Sequence, residues 1–554
     1  MTSPGTRSHI ALRSFDMDPT SPFEHLLHTN YIPTCDEAAE IRKLCANPLK
    51  ELAALEAEIS QTQALLHDLQ RSYSRSKTRV DAHLALLSPM RSVPPEILQS
   101  IFIMTLPSDR NAVMHASETP VLLGRVCRGW RKIAYATPEL WASIHLVAPP
   151  VDFSDSATSP GYIRLMAMEE WLARSAVCPL SISIWVSHEA WGAAAAAAAS
   201  PFVEAILPLS SRWKHIELRV PSDSLDSFHY LQATDVPLLQ TLSITNGGSL
   251  ARDDWSGNLL FLQHAPRLHT LSLAHDGNVS LPPSPWEQLT CLSLCPTQEF
   301  FGLDAETTVK ILSQCLNLRT CTLHFPSFQP SPLALPERLH KLPYLSVLAI
   351  QAANFQINDD TLSNVLDALI LPSLEFLNVE DRNGDFFIYP ALFRLLSRSS
   401  CHLHKLELND IMLPEPDSMA LFALPAMRSV VELVVQDRTG DEGDCILSET
   451  FIGLLADRRL LCPDLRVVKF TQCSQFSDQS LFKFLKARSG PLGDGDGAGL
   501  QSAEISFCRE AESPDEVGAV VQELAEAGLE ANIYHENDEF WDVFRVSPWE
   551  GLSG

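Results

Sequence analysis

Between residues 52 and 87 the apolar positions recur alternately three and four apart: Leu52, Leu55, Ile59, Thr62, Leu66, Leu69, Tyr73, Ser76, Val80, His83 and Leu87. That is an a/d heptad seam in which Thr62, Ser76 and His83 put polar groups at d positions. The spacing predicts one long helix over 36–87. Two readings stay open: a coiled coil with another chain, or a single helix packed on a neighbour in its own chain, the polar d positions favouring the latter. Pro89, Pro94 and Pro95 end this pattern, because proline cannot continue the helical hydrogen-bond ladder. A compact helical module follows over 88–147. Pro94 and Pro95 suit a helix's first turn and Glu96 its positive end, with Ile97, Leu98, Ile101 and Phe102 on one stripe. A second helix is expected over 121–134, with Leu122, Leu123, Val126, Trp130 and Ile133 apolar. The stretch TPELWASIHL, with Leu140, Trp141 and Ile144, closes the module.

From residue 213 the period changes. The pattern L-x-x-L-x-L, with hydrophobic substitutions, begins at Trp213, Leu239, Leu268, Leu289, Leu318, Leu345, Leu374, Leu403, Val430, Leu465 and Leu500, at intervals of 21 to 35 residues. The alternation makes each instance a short strand with one buried face. Apolar stripes at helical spacing lie between them: Val309, Leu312, Cys315 and Leu316; Leu362, Val365, Leu366 and Leu369; Leu392, Leu395 and Leu396. Strand and helix alternating at a near-fixed period predict an α/β solenoid over 161–535, parallel strands on one side and helices on the other. Ser513, Pro514 and Glu516 read as a helix start, Val517, Val520, Val521 and Leu524 as its buried stripe, Gly528 as its stop, and a last strand is expected near Ile533. Residues 1–35, rich in Ser, Thr, Pro and His, read as a disordered arm, 148–160 as a linker, 490–499 as a loop and 536–554 as an acidic tail.

Composition narrows the function classes. The chain has 554 residues, 45% of them hydrophobic, and a formal net charge of −27. Residues 1–150 hold 15 Lys/Arg and 15 Asp/Glu of totals of 41 and 68, so the remainder carries 26 against 53 and with it the whole imbalance. An acidic body repels phosphate backbones, so no nucleic-acid partner is expected even though Arg125, Arg128, Arg131 and Lys132 crowd one short stretch. No long apolar run or apolar leader stands out, and the 13 cysteines are irregularly spaced. The expected setting is therefore intracellular, cytoplasmic or nuclear, with free thiols and no membrane partner.

Three ordered blocks carry a family resemblance. VPPEILQSIF, LLGRVCRGWRKIA and TPELWASI resemble an F-box domain, through Pro95, Glu96, Ile97, Leu98, Ile101 and Phe102, then Val126, Cys127, Trp130 and Arg131, then Pro138, Leu140 and Trp141. The repeated motif resembles irregular leucine-rich repeats, although their Asn/Cys ladder position is mostly vacant and is filled by Cys473 and Cys508. The resemblance implies an all-α F-box module docking on a Skp adaptor, and through it on a cullin. The implied contacts are Pro94, Glu96, Ile97, Leu98, Ile101, Phe102, Leu123 and Val126, with Trp130, Leu140 and Trp141 as core. It implies a substrate receptor of a ubiquitin ligase, or alternatively a repeat scaffold or sensor that binds the adaptor without feeding a ligase. The target, an unidentified protein, is expected on outward strand positions: Ser243, Ser272, Ser293, Thr322, Ala349 and Asn378.

Catalytic chemistry is not expected, nor any cofactor or metal. Cys291 and Cys295, and Cys321 with His324, lack a second half at zinc-site spacing, and Cys321 reads as core. The Asp494–Asp496 stretch meets Ile505 where a calcium loop needs a bidentate Glu. Nucleophile-elbow, P-loop, H-E-x-x-H and redox C-x-x-C motifs are absent.

Overall fold

In a computed structural model of the chain the described residues are 21–148, 159–186, 193–246, 256–275, 286–296, 305–326, 339–353, 361–381, 389–411, 413–437, 445–489, 499–512 and 514–535. The expected linker, the 490–499 loop, the acidic tail, Ser513 and most of the N-terminal arm fall wholly or largely outside them. The chain divides into two compact units, Met1–Pro94 and Pro95–Gly554.

The first unit is dominated by α1 (Cys35–Leu86), which begins at a reciprocal cap. The Thr34 hydroxyl accepts from the Glu37 amide, and the Glu37 carboxylate accepts from the Thr34 amide at 2.8 Å. These bonds, the backbone one foremost, hold the Glu37 carboxyl below its ordinary range. The body is rich in Ala, Leu, Glu, Gln, Lys and Arg, the best helix formers, and the helix runs through Pro48. By itself it buries none of its residues, and Leu52, Leu55, Ile59, Leu66, Leu69, Tyr73 and Val80 all stand exposed.

The second unit opens with α2 (Pro95–Met104), α3 (Val121–Val126) and α4 (Arg128–Tyr135). Its strands are β1 (Ser143–Val147), β2 (Leu180–Trp185), β3 (Trp213–Arg219), β4 (Thr241–Thr245), β5 (Thr270–His275), β6 (Cys291–Pro296), β7 (Thr320–Pro326), β8 (His340–Lys341), β9 (Val347–Ala353), β10 (Leu369–Ile370), β11 (Phe376–Asp381), β12 (Lys405–Asn409), β13 (Glu432–Gln436), β14 (Val467–Cys473), β15 (Ser502–Phe507) and β16 (Glu530–Tyr534). Apart from β8 and β10, which pair with each other, they form one sheet of 14 parallel strands laid down in sequence order. Each of the eleven motif instances leads into a strand. Alternate positions such as Leu242 and Ile244, Leu271 and Leu273, and Leu406 and Leu408 are buried. Each fully buried side chain of this kind contributes roughly 1.5–3 kcal/mol.

Helical segments fill the intervals, from α5 (Pro160–Arg174) and α6 (Ala193–Ile206) to the last, Pro514–Glu526. The stripes at 362–369 and 392–396 are buried as expected. Of the first stripe, Leu312 and Cys315 are buried as expected, Val309 is half-buried and Leu316 is exposed, and Ala305, Thr308 and Ile311 complete the core side of the helix Ala305–Gln314. Gly528, with φ +85°, stops the last helix ahead of β16, in the left-handed conformation that favours glycine.

A device that the motif does not announce ties neighbouring segments together. Arg212 donates to the carbonyls of Ser175 and Cys178, just past the end of α5. Arg398, in the last turn of the helix Tyr389–Ser399, donates to Leu366 in the last turn of the preceding helix Thr361–Asp367 and to Leu369 just past its end. Arg488 ends the helix Asp478–Arg488 and donates to Leu455, Leu461 and Cys462, the first being the last residue of the helix Glu449–Leu455. Helix C-termini leave carbonyls without partners and carry the negative end of the dipole, so a guanidinium from the next segment satisfies both needs. Gln288 does the same neutrally, donating to Ala265 and Leu268 at 2.7 Å.

Candidate protein-docking site

The helical module is where the sequence concentrates its candidate residues, and the structure separates them into two sets. Leu98 and Phe102, one helical turn apart on α2, are buried, as is Leu123 of α3. The Phe102 ring meets the half-buried Trp130 at 4.8 Å. Leu140 and Trp141 complete the core, the indole of Trp141 donating to the Ala134 carbonyl at 2.8 Å and lying edge-on to Trp171 of α5 at 4.9 Å. The Arg174 guanidinium covers Tyr135 and Trp141 at 4.3 and 4.6 Å. Leu140 and Trp141 are thus buried in the module, with Trp130 half-buried beside Phe102.

The second set stays open. Ile97 is 53% exposed, Ile101 39%, Leu122 42% and Val126 55%. Pro94, Glu96 and Met104 are exposed with them. On α2, Ile97 and Ile101 lie one position before Leu98 and Phe102, so the two pairs form adjacent stripes about 100° apart. One stripe enters the core and the other does not. Leu98, Phe102 and Leu123, expected as docking contacts, are core side chains here.

The single helix expected over 121–134 is broken. Cys127 adopts extended backbone, φ −158° and ψ 169°, between α3 and α4, and its Sγ accepts from the Trp130 amide. Arg131 Nε spans the break to the Gly124 carbonyl at 2.6 Å. This turn leaves Arg125, Arg128, Arg131 and Lys132 exposed. Nor is the 88–147 segment wholly helical. The closing stretch runs straight into β1, which pairs with β2 and buries Ile144, His145, Leu146 and Val147. The long segment before α3 binds the same edge. Asn111 accepts from Ser143 at 2.9 Å and donates to Ser183 at 3.0 Å, and Val113 bridges to His145. An Arg110–Glu118 pair at 2.6 Å braces that segment.

The outward strand positions form a second candidate surface. Ser243, Ser272, Ser293, Thr322, Ala349 and Asn378 are successive register partners on β4 to β7, β9 and β11, all half-buried. At about 4.8 Å per strand this row spans roughly 24 Å. It continues through Glu407, Val434, Lys469 and Glu504. Sequence reasoning missed this charged half, where Lys405 lies 3.0 Å from Glu407 and 2.7 Å from Glu432, and Lys469 3.1 Å from Glu504. The signal was present, since each lies at the same offset from its motif.

Cys321 is buried among apolar strands, and burial pushes its thiol pKa up, away from a metal-binding thiolate. Among the described residues no group of three His, Cys, Asp or Glu gathers in a way that could hold a metal ion, and no helix is long and apolar enough to cross a membrane. No family model and no curated protein matches the chain.

Proposed function

We propose that the chain is a substrate-receptor subunit of a Skp–cullin–F-box ubiquitin ligase, an F-box module joined to an irregular leucine-rich-repeat solenoid. The observation that carries this reading is the open stripe of Ile97, Ile101, Leu122 and Val126 beside a fully packed core. Apolar side chains left open on a small module mark a partner site, and Ile97, Ile101 and Val126 are among the positions at which the F-box resemblance places the adaptor. The continuity of the module with β1 supports a receptor role, since a rigid joint keeps a target held on the sheet at a fixed distance from whatever binds the stripe. The chain then works by proximity, raising the local concentration of target lysines beside a ubiquitin thioester carried by another subunit, and supplies no catalytic group itself. The outward row from Ser243 to Glu504 is the proposed target surface, and the excess of acidic residues beyond residue 150 favours a basic segment.

The test is co-purification of the Skp adaptor and a cullin with the full chain, comparing wild type with Ile97→Glu/Ile101→Glu. Both sites are exposed, so the variant folds with unchanged melting behaviour while adaptor affinity drops by about 30-fold or more, the loss expected for central anchors. A folded variant that retains full adaptor binding, or a wild-type chain that captures no adaptor, would remove the assignment. Leu98 is a poor test position, because a loss there reports the core.

A further inference from the structure

The seam of α1 is exposed along its whole length, and a long helix keeps its structure in water chiefly by packing an amphipathic face. We propose that α1 joins two copies of the chain as an antiparallel coiled coil over residues 49–79. The charges flanking the seam select the occupant and its direction. Glu51 and Glu56 flank the N-terminal part of this run, Lys77 and Arg79 the C-terminal part, and none of the four is engaged in an ion pair in the single chain.

In an antiparallel pair whose facing residues sum to 128, Leu52 faces Ser76 of the second copy, Leu55 faces Tyr73, Ile59 faces Leu69 and Thr62 faces Leu66. Every polar d position in the run then meets an apolar one. At this register Glu51 lies two residues along the axis from Arg79 and Glu56 five from Lys77, so the acidic end of each copy is set against the basic end of the other, and two-fold symmetry repeats the arrangement. A parallel pair does the reverse. It stacks Thr62 on Thr62 and Ser76 on Ser76, and sets Glu51 of one copy against Glu56 of the other with no attractive charge pair in return. Charge complementarity along α1 therefore points to its own sequence running the other way.

The experiment is the mass of the full chain in solution by light scattering and sedimentation, over a range of concentrations and at low and high salt. Wild type is expected at twice the 61.3 kDa of the chain, and Leu66→Glu/Leu69→Glu at that mass alone with the sheet still folded. Glu51→Lys/Glu56→Lys weakens the dimer by an order of tenfold at low salt, less at high salt, and adding Lys77→Glu/Arg79→Glu restores it. A monomeric wild type, or a dimer indifferent to the Leu66/Leu69 variant, would overturn the proposal. So would Glu51→Lys alone tightening the dimer, which is the parallel outcome.

Discussion

Arg488 offers the sharpest test of how the sheet-bearing unit is held together. It is 1% exposed, and burial lowers its pKa to about 10, so at neutral pH a full positive charge sits in the interior. Its Nε meets the Leu455 carbonyl at 2.7 Å, its Nη1 Cys462 at 2.8 Å and its Nη2 Leu461 at 2.6 Å. Cys462 has φ +44°, a left-handed conformation that a non-glycine residue adopts only under outside support. Arg488→Met keeps the length of the stem and removes the fork. Three buried acceptors then lose their donor, at roughly 1–1.5 kcal/mol each, and the relief of no longer burying a charge offsets part of that. The net expectation is about 3 kcal/mol, with Arg488→Lys intermediate because an ammonium cannot span all three carbonyls. The clamp joins two particular helices, so the readout is local hydrogen exchange. Amides of Glu449–Leu455 and Asp478–Arg488 should exchange about a hundredfold faster in the Met variant, and those of β4 to β7 at the wild-type rate. Unchanged exchange in both helices, or slower exchange, would refute the idea that the guanidinium acts as their clamp.

Two other outcomes follow from the packing. Phe102→Ala removes a ring that is 1% exposed and tilted against Trp130, which should destabilise the helical module by about 3–5 kcal/mol; limited proteolysis should then cut within 95–141 while the strands beyond β3 stay protected. Asp437 is 2% exposed, and burial raises its pKa to about 7 against the hydrogen bonds from Leu447 and Ile446. A carboxyl whose folded pKa exceeds its unfolded value stabilises fully below the unfolded value, and that contribution fades as pH rises through 7. The melting temperature should fall between pH 5 and 8 in wild type and stay flatter in Asp437→Asn; equal slopes would count against a buried titrating carboxyl.

The eleven motif-bearing strands from residue 213 on were legible because each carries two alternating apolar residues at a fixed offset from a leading Leu, Trp or Val. β1 and β2 escaped because SIHLV and LSISIW alternate without that lead, and β1 also follows a stretch that reads as the end of a helical module. Within the module the sequence displayed both stripes of α2 without saying which is core. Leu98/Phe102 and Ile97/Ile101 have the same i, i+4 spacing and similar hydropathy, and only the position of Trp130 decides between them. The break at Cys127 carries no glycine or proline of its own, since it comes from a thiol standing in for a capping hydroxyl. Arg212, Arg398 and Arg488 look like solvated charges at helix ends. Their partners lie in the preceding segment, beyond the reach of local pattern.

The direction of those arginine clamps has a consequence for synthesis on the ribosome. Arg212 reaches back 34 residues to Cys178, Arg398 29 to Leu369 and Arg488 33 to Leu455. A clamped helix end is therefore finished only after the following segment has been translated, a delay of roughly 1.5–7 s at about 5–20 residues per second. At these places the growing chain passes through a stage with an unfinished edge facing the ribosome. A chain broken off between Leu455 and Arg488 keeps that edge permanently, although every residue of the helix behind it is present.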